Sequence, residues 1–477
     1  MKIKKVIIGI ETHVQLNTKT KMFCSCSTNY KGALPNTNVC PVCLGYPGIL
    51  PKPNRKAFME AIKVGFVLNS DIQQKSRFDR KNYMYPDLFK GYQITQFEYP
   101  INLGGYVDIS NKRIEITRAH LEEDTAKSIH EKENTLIDGN KAGIPLLEIV
   151  SEPQMNTSDE AVEYVRRLRN LIRFIKSSSC DMEKGEMRFD INVNLGIIDN
   201  GTEYRTPICE VKNLNSFKSL KGAIEYEIKR QEEEFKKTKI QLDKGNKTTR
   251  GWNDNLQKTY FLRVKEESDD YRYFPEPDIP PFNLDKEFIE NTINNIKDNP
   301  YEAIKKMEKD NISHDLIGLI FEDLKAYKFY SKSAIKYKGE KMNIANWIVN
   351  DIFSLNNEYG IDINDINIED FVQLLENIDN KTINVTSAKD IFRRIVLKSE
   401  DIKKLIEENS ILHDDSAIDN VIKKVLSQNK DLVEKYISGK DGLLGFFVGK
   451  VLLEVKGRYD PQDIREKIID FIKSSFN

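Results

Sequence analysis

Through the first 290 or so residues, apolar and polar side chains alternate in short runs, each closed by turn-forming segments such as Asn102-Leu-Gly-Gly105, Asp138-Gly-Asn140 and Asp199-Asn-Gly201. A period of two belongs to the β-strand, in which residues i and i+2 share a face, so these runs predict strands with one apolar and one polar side. In residues 5–14, Val6, Ile8 and Ile10 lie on one face while Glu11 and His13 project from the other. In residues 186–194, Met187, Phe189, Ile191 and Val193 oppose Arg188, Asp190 and Asn192, and residues 209–212 put Glu210 beside Lys212.

Two segments switch to helical spacing. Thr157 and Glu160 stand in capping-box register before Ala161, Val165, Leu168, Ile172 and Ile175, an apolar stripe. A second helix is predicted from Ser216 through Leu220, Ile224 and Ile228 into the charged tract 230–237. After the proline-rich segment 275–281 the pattern becomes uniformly helical, and glycines at 439, 442, 445 and 449 punctuate a last block. The expected class is α+β: a domain over 1–292 with an antiparallel or mixed sheet and helices, an all-α domain over 293–408, and a small helical tail over 409–477.

The 477 residues allow about three domains, each with its own core. With 73 Lys and Arg against 74 Asp and Glu, net charge neither indicates nor excludes a nucleic-acid partner, because the two signs can be segregated in space. Glu11 and His13 interrupt the first apolar run too early for a signal peptide, and the 442–455 stretch is broken by Lys450 and too short to span a bilayer. The expected location is the cytoplasm, without a membrane partner.

Four of the six cysteines fall between residues 24 and 43, as Cys24-x-Cys26 and Cys40-x-x-Cys43. Two close pairs separated by a turn-rich insert suit a tetrahedral thiolate cage for structural Zn²⁺, the alternative being reduced free cysteines. Four protein ligands would leave no open position for catalysis. The polar strand faces present Glu11, His13, Glu148, Asp190 and Glu210, with further acids in 122–124. A glutamate set among apolar residues, as Glu148 is in 144–150, needs a partner charge or a metal. Mg²⁺ with a nucleotide answers that need, and so do structural ion pairs with Arg118, Arg188 or Lys212. No glycine-rich phosphate cradle of the common kinds occurs. The segment Arg80, Lys81, Tyr83, Tyr85, Lys90, Tyr92 and Gln93 interleaves cations with rings, a pattern that fits a single-stranded nucleic-acid end or plain packing.

In order along the chain, Gly9-Ile-Glu-Thr-His13, Cys40-Pro-Val-Cys-Leu-Gly45, Phe78-Asp-Arg-Lys-Asn-Tyr83, Gly91-Tyr-Gln-Ile-Thr-Gln96, His120-Leu-Glu-Glu-Asp124, the 145–153 and 269–277 segments and Gly445-Phe-Phe-Val-Gly449 resemble the B-subunit family of the glutamyl/aspartyl-tRNA amidotransferases. The resemblance covers nearly the whole chain. It implies ATP-dependent phosphorylation of the side-chain carboxylate of Glu on tRNA(Gln) or Asp on tRNA(Asn), followed by amidation with ammonia from a glutaminase: a glutamine-dependent carbon–nitrogen ligase. It implies a catalytic set of Glu11, His13, Glu123, Glu148, Asp190 and Glu210, with Mg²⁺ on His13, Glu123 and Glu148 and cofactor contacts from Arg188 and Lys212. It assigns the 80–93 cations and rings to the tRNA 3′ end, and the tail domain to tRNA contact. The sequence departs from the family pattern at Phe89, Lys141 and Phe189, where proline, arginine and cysteine are usual. No amidase signature or Cys-His pair accompanies these motifs, so the glutaminase is expected to be a separate A subunit, joined by a small C subunit. The competing reading is a non-catalytic, zinc-containing tRNA-binding subunit of a tRNA-modifying complex.

Overall fold

In the computed structural model of the chain, the alternating runs pair into one large mixed sheet, and the α+β class expected from the pattern is the one observed. The structure describes residues 1–265, 268–411, 415–455, 459 and 461–476. It divides into two units, Met1–Ala303 and Ile304–Asn477.

Ten strands form the continuous path of the first unit's sheet, with short strands pairing alongside: β1 (Lys2–Gln15), β2 (Asp79–Asn82), β3 (Tyr92–Thr95), β4 (Lys112–Glu123), β5 (Pro145–Ser151), β6 (Met187–Asp199), β7 (Cys209–Leu214), β8 (Thr248–Asn253), β9 (Lys258–Val264) and β10 (Phe274–Pro275). They lie side by side in the order β9-β8-β7-β6-β1-β5-β4-β3-β2-β10. All neighbours run antiparallel except β7 and β8, which are parallel. Register aligns the polar positions. On β1, His13 stands opposite Glu148 of β5 and Arg188 of β6; Glu148 in turn stands opposite His120 of β4, and Glu11 opposite Asp190. Directly paired residues share a face, so the middle strands carry one continuous band of ionisable groups.

The other face is apolar. Ile8, Ile10, Val14, Leu147, Ile149, Phe189, Ile191 and Val193 pack with three helices, α1 (Arg55–Val67), α2 (Ser158–Phe174) and α3 (Phe217–Thr238), in one core. Thr157 caps α2 by accepting from the Glu160 amide, and the Glu160 carboxylate accepts from the Asn156 amide at 2.7 Å, one residue earlier than a standard capping box. Ser216 caps α3, and Lys239 closes it in the left-handed region. Helical character resumes at Lys286, yet Ile289, Phe288, Ile293 and Tyr301 still pack on this core.

The second unit is helical among its described residues. Trp347, Phe371 and Phe392 meet edge to face, and residues 418–472 gather their own core around Ile422, Val433, Phe447, Val451, Ile464 and Ile468. Among the described residues, no helix is long and apolar enough to cross a membrane.

Candidate active site

The polar band floors a cleft of about 1360 Å³ whose lining includes His13, Glu122, Glu148, Lys81, Arg188 and Tyr83. At its centre the His13 Nε2 lies 3.4 Å from Glu148 Oε2 and 3.6 Å from Glu122 Oε1, and His120 Nε2 lies 3.7 Å from Glu148 Oε2. Burial and the neighbouring Glu148 push the Glu122 carboxyl up to about 7. Glu148 is held well below the usual carboxylate range: burial opposes its charge, but the two imidazoles more than offset that. One donor atom from each of His13, Glu122 and Glu148 fits within a 4.8 Å span. Adjacent ligands of an octahedral Mg²⁺ at about 2.1 Å sit about 3 Å apart, so the three groups fit a hard cation with small adjustment.

The structure places only two of the three expected magnesium ligands together, His13 and Glu148. Glu123 does not face His13; its side chain turns to the opposite side, where Oε1 accepts from the Ile94 amide at 3.0 Å and pairs with Lys90. The acid beside His13 is Glu122. The cause is an irregularity in β4: Ile116 pairs with Ser151 but Arg118 pairs with Val150, so Thr117 is an extra residue. Such a bulge inverts the alternation beyond it. Ile114 and Ile116 therefore share the core with Ala119 and Leu121, while Glu122 lines the cleft and His120 lies beneath it against Glu148.

The remaining acids form a separate network. Lys212 Nζ binds Asp190 at 2.7 Å and lies 3.4 Å from Glu210, which also pairs with Lys265 at 3.2 Å and accepts from Thr249 at 2.8 Å. Glu11 accepts from Asn192 at 3.0 Å. Burial would raise both acids that touch Lys212, yet Asp190 and Glu210 lie below their ordinary range because that ammonium stabilises their charge. The Glu11 carboxyl is raised by burial and by Glu148, which outweigh the Lys265 ammonium. On the other flank Asp124, one of the acids in 122–124 but outside the expected catalytic set, is fully buried between Arg188 at 3.2 Å and Lys141 at 2.8 Å and accepts from Gln15. Arg188 and Lys212 thus both line the cleft, each paired to an acid.

The segment 80–93 divides by strand parity. Lys81 pairs in register with Gln93, and both line the cleft with Tyr83 and Tyr85. Lys81 Nζ lies 4.7 Å from the ring centre of Tyr271, another cleft residue, which belongs to the 269–277 segment but is not among the expected site residues. Burial opposes the Lys81 charge, but Tyr273, Glu148 and Glu122 more than offset it and hold the ammonium above its ordinary range. Arg80 and Tyr92 point away: Arg80 grips Glu276 through two hydrogen bonds of 2.8 Å and covers the Tyr92 ring at 4.1 Å. Lys90 is also on that far side, with Glu123. These three residues brace the cleft wall and do not line it.

The Sγ atoms of Cys24, Cys26, Cys40 and Cys43 lie within 4.8 Å of one another, and the Cys40–Cys43 separation is 3.9 Å. Tetrahedral Zn–S bonds of about 2.3 Å put sulfurs about 3.8 Å apart, so the four thiols fit a structural zinc cage. The Cys40 amide donates to Cys43 Sγ at 3.2 Å, and Gly45 ends the turn with φ of +70°. A hydrogen bond from Cys24 lowers the Cys43 thiol to about 5.

A histidine–carboxylate cluster thus lies on the sheet floor, walled by lysine, arginine and tyrosine. Residues 6–290 match the family model of the GatB/GatE catalytic domain, and residues 329–472 match that of a GatB domain. The B subunit of the aspartyl/glutamyl-tRNA(Asn/Gln) amidotransferase of Finegoldia magna is 38% identical over 474 residues, which cover 97% of this chain and 98% of that one. Those of Clostridium kluyveri and Thermosipho melanesiensis are 40% and 39% identical, each over 97% of this chain and 98% of theirs. The chain belongs to the family of aspartyl/glutamyl-tRNA(Asn/Gln) amidotransferase B subunits.

Proposed function

We propose that this chain is the carboxylate-activating subunit of a glutamine-dependent tRNA amidotransferase, working in the cytoplasm with a glutaminase A subunit and a small C subunit. The observation that carries the reading is the His13–Glu122–Glu148 cluster on the cleft floor, flanked by Lys81 and Arg188. A side-chain carboxylate oxygen of Glu on tRNA(Gln), or of Asp on tRNA(Asn), attacks the γ-phosphorus of ATP, and ADP leaves. Ammonia then attacks the carbonyl carbon of the acyl phosphate and inorganic phosphate departs, leaving the amide.

His13, Glu122 and Glu148 would hold Mg²⁺, which when bound supplies charge neutralisation to the phosphate oxygens. Lys81, Arg188 and Lys141 add fixed positive charge around the same space, so that catalysis rests on positioning and electrostatics. Tyr83, Tyr85 and Tyr271 offer ring faces for the unpaired bases of the tRNA 3′ end. The four cysteines would hold Zn²⁺ to fix the loop behind the cleft wall, and the 409–477 helices would contact the tRNA body.

The test is ADP release by the reconstituted complex with and without Glu-tRNA(Gln). Glu122→Gln and Glu148→Gln are expected to cut tRNA-dependent turnover by about 100-fold or more while tRNA binding persists. Unchanged turnover would leave the chain as a tRNA-binding scaffold.

A further inference from the structure

Lys21 is fully buried, yet among the described residues no carboxylate lies within salt-bridge distance of it. Its Nζ donates to the carbonyls of Asn38 at 2.9 Å and Gly139 at 3.4 Å, and its third neighbour is Cys43 Sγ at 3.7 Å. The stem is sheathed as well: a Cβ placed on Gly143 would meet both Lys21 Cδ and Cys43 Cβ at about van der Waals distance, 3.5 and 3.6 Å. Three donors thus meet three acceptors, two of them neutral carbonyls. An ammonium removed from water without a counter-charge is costly, and the negative charge within reach is sulfur. Four thiolates around Zn²⁺ carry a formal charge of −2, which a buried cation would halve.

We propose that Lys21 is a positioning residue for the cysteine centre, its ammonium serving as counter-ion and hydrogen-bond donor to the metal-bound Cys43 thiolate. This rests on the reading of the four cysteines as a zinc site. The same ammonium ties that site to the 137–141 turn, where Asn36 and Asn38 also bond to Gly139 and Asn140, and Lys141 at the end of the turn reaches Asp124 in the cleft. The charge at the centre and the geometry of the cleft wall therefore share one side chain.

The experiment compares the full chain with Lys21→Gln, which can still donate to carbonyls but is neutral, and Lys21→Met, which can do neither. Zinc affinity is measured by chelator competition, and the thiolate-to-metal absorption band is recorded on the cobalt-substituted proteins. Both variants are expected to bind zinc roughly 10- to 100-fold more weakly, and in both the band moves to longer wavelength, because a thiolate deprived of its donor gives up charge more easily. Wild-type affinity and an unshifted band in Lys21→Gln would overturn the proposal and leave a mere carbonyl tie. Failure of either variant to fold with zinc saturating, judged by far-ultraviolet circular dichroism, would also overturn it, since the residue would then serve the scaffold. A wild-type chain that binds no stoichiometric zinc would instead remove the metal reading on which the proposal stands.

Discussion

Glu122 and Glu123 are neighbours in the chain with opposite destinations: one meets the His13 imidazole in the cleft, the other pairs with Lys90 and the Ile94 amide behind it. Their substitution should separate binding from stability. Glu123→Gln should leave Mn²⁺ or Mg²⁺ titration of the cleft close to wild type and lower unfolding free energy by about 2–4 kcal/mol, because Lys90 loses its buried partner. Glu122→Gln should show the reverse, and calorimetric cation titration with denaturant unfolding distinguishes the two. At this scale the sequence was legible where alternation ran unbroken: Val6 to His13 and Met187 to Asn192 face as their parity predicts. It was illegible past Thr117, because one unpaired residue moves every later side chain of β4 to the other face. The same parity rule, applied to 80–93, would have separated Lys81 and Gln93 from Arg80 and Tyr92.

Helix starts at Thr157 and Ser216 are legible in the sequence, since a capping side chain acts within three residues of its amide. What ties α3 to the sheet is not, because the partners are distant in sequence. Glu227 is fully buried on α3 and accepts from Arg230 at 2.7 Å, from Thr259 of β9 at 2.6 Å and from Gln231 at 3.2 Å. Burial would raise its carboxyl, but the hydrogen bonds and charge of Arg230 bring it below the ordinary range. A carboxylate with a depressed folded value stabilises above its unfolded titration point, about pH 4.3, and loses that contribution as pH falls through the folded value. Glu227→Gln should therefore cost about 2 kcal/mol at pH 7, with the difference from wild type shrinking toward pH 3. Urea unfolding across that range measures it, and a deficit that is independent of pH would show that packing, not charge, ties the helix. Strand order was equally hidden: β1 sits between β5 and β6, and β7 runs parallel to β8, pairings that rest on long-range contacts no local pattern encodes.

For the whole chain, the change from alternation to helical period after residue 281 falls two residues short of the last strand, Phe282–Asn283. The first unit nevertheless runs to Ala303, because the helix from Lys286 buries Ile289 on the sheet-domain core. The cleft itself emerges only when distant strands bring acids and cations from residues 11 to 212 onto one face, and its chemistry follows from that convergence. The claim that this chain activates a tRNA-bound carboxylate with ATP is tested most directly by isotope transfer. Glu-tRNA(Gln) labelled with ¹⁸O in both γ-carboxylate oxygens is converted by the reconstituted complex, and inorganic phosphate is examined by mass spectrometry. The account predicts one ¹⁸O atom in each phosphate released per amide formed; label absent from phosphate, or found in AMP, would contradict it.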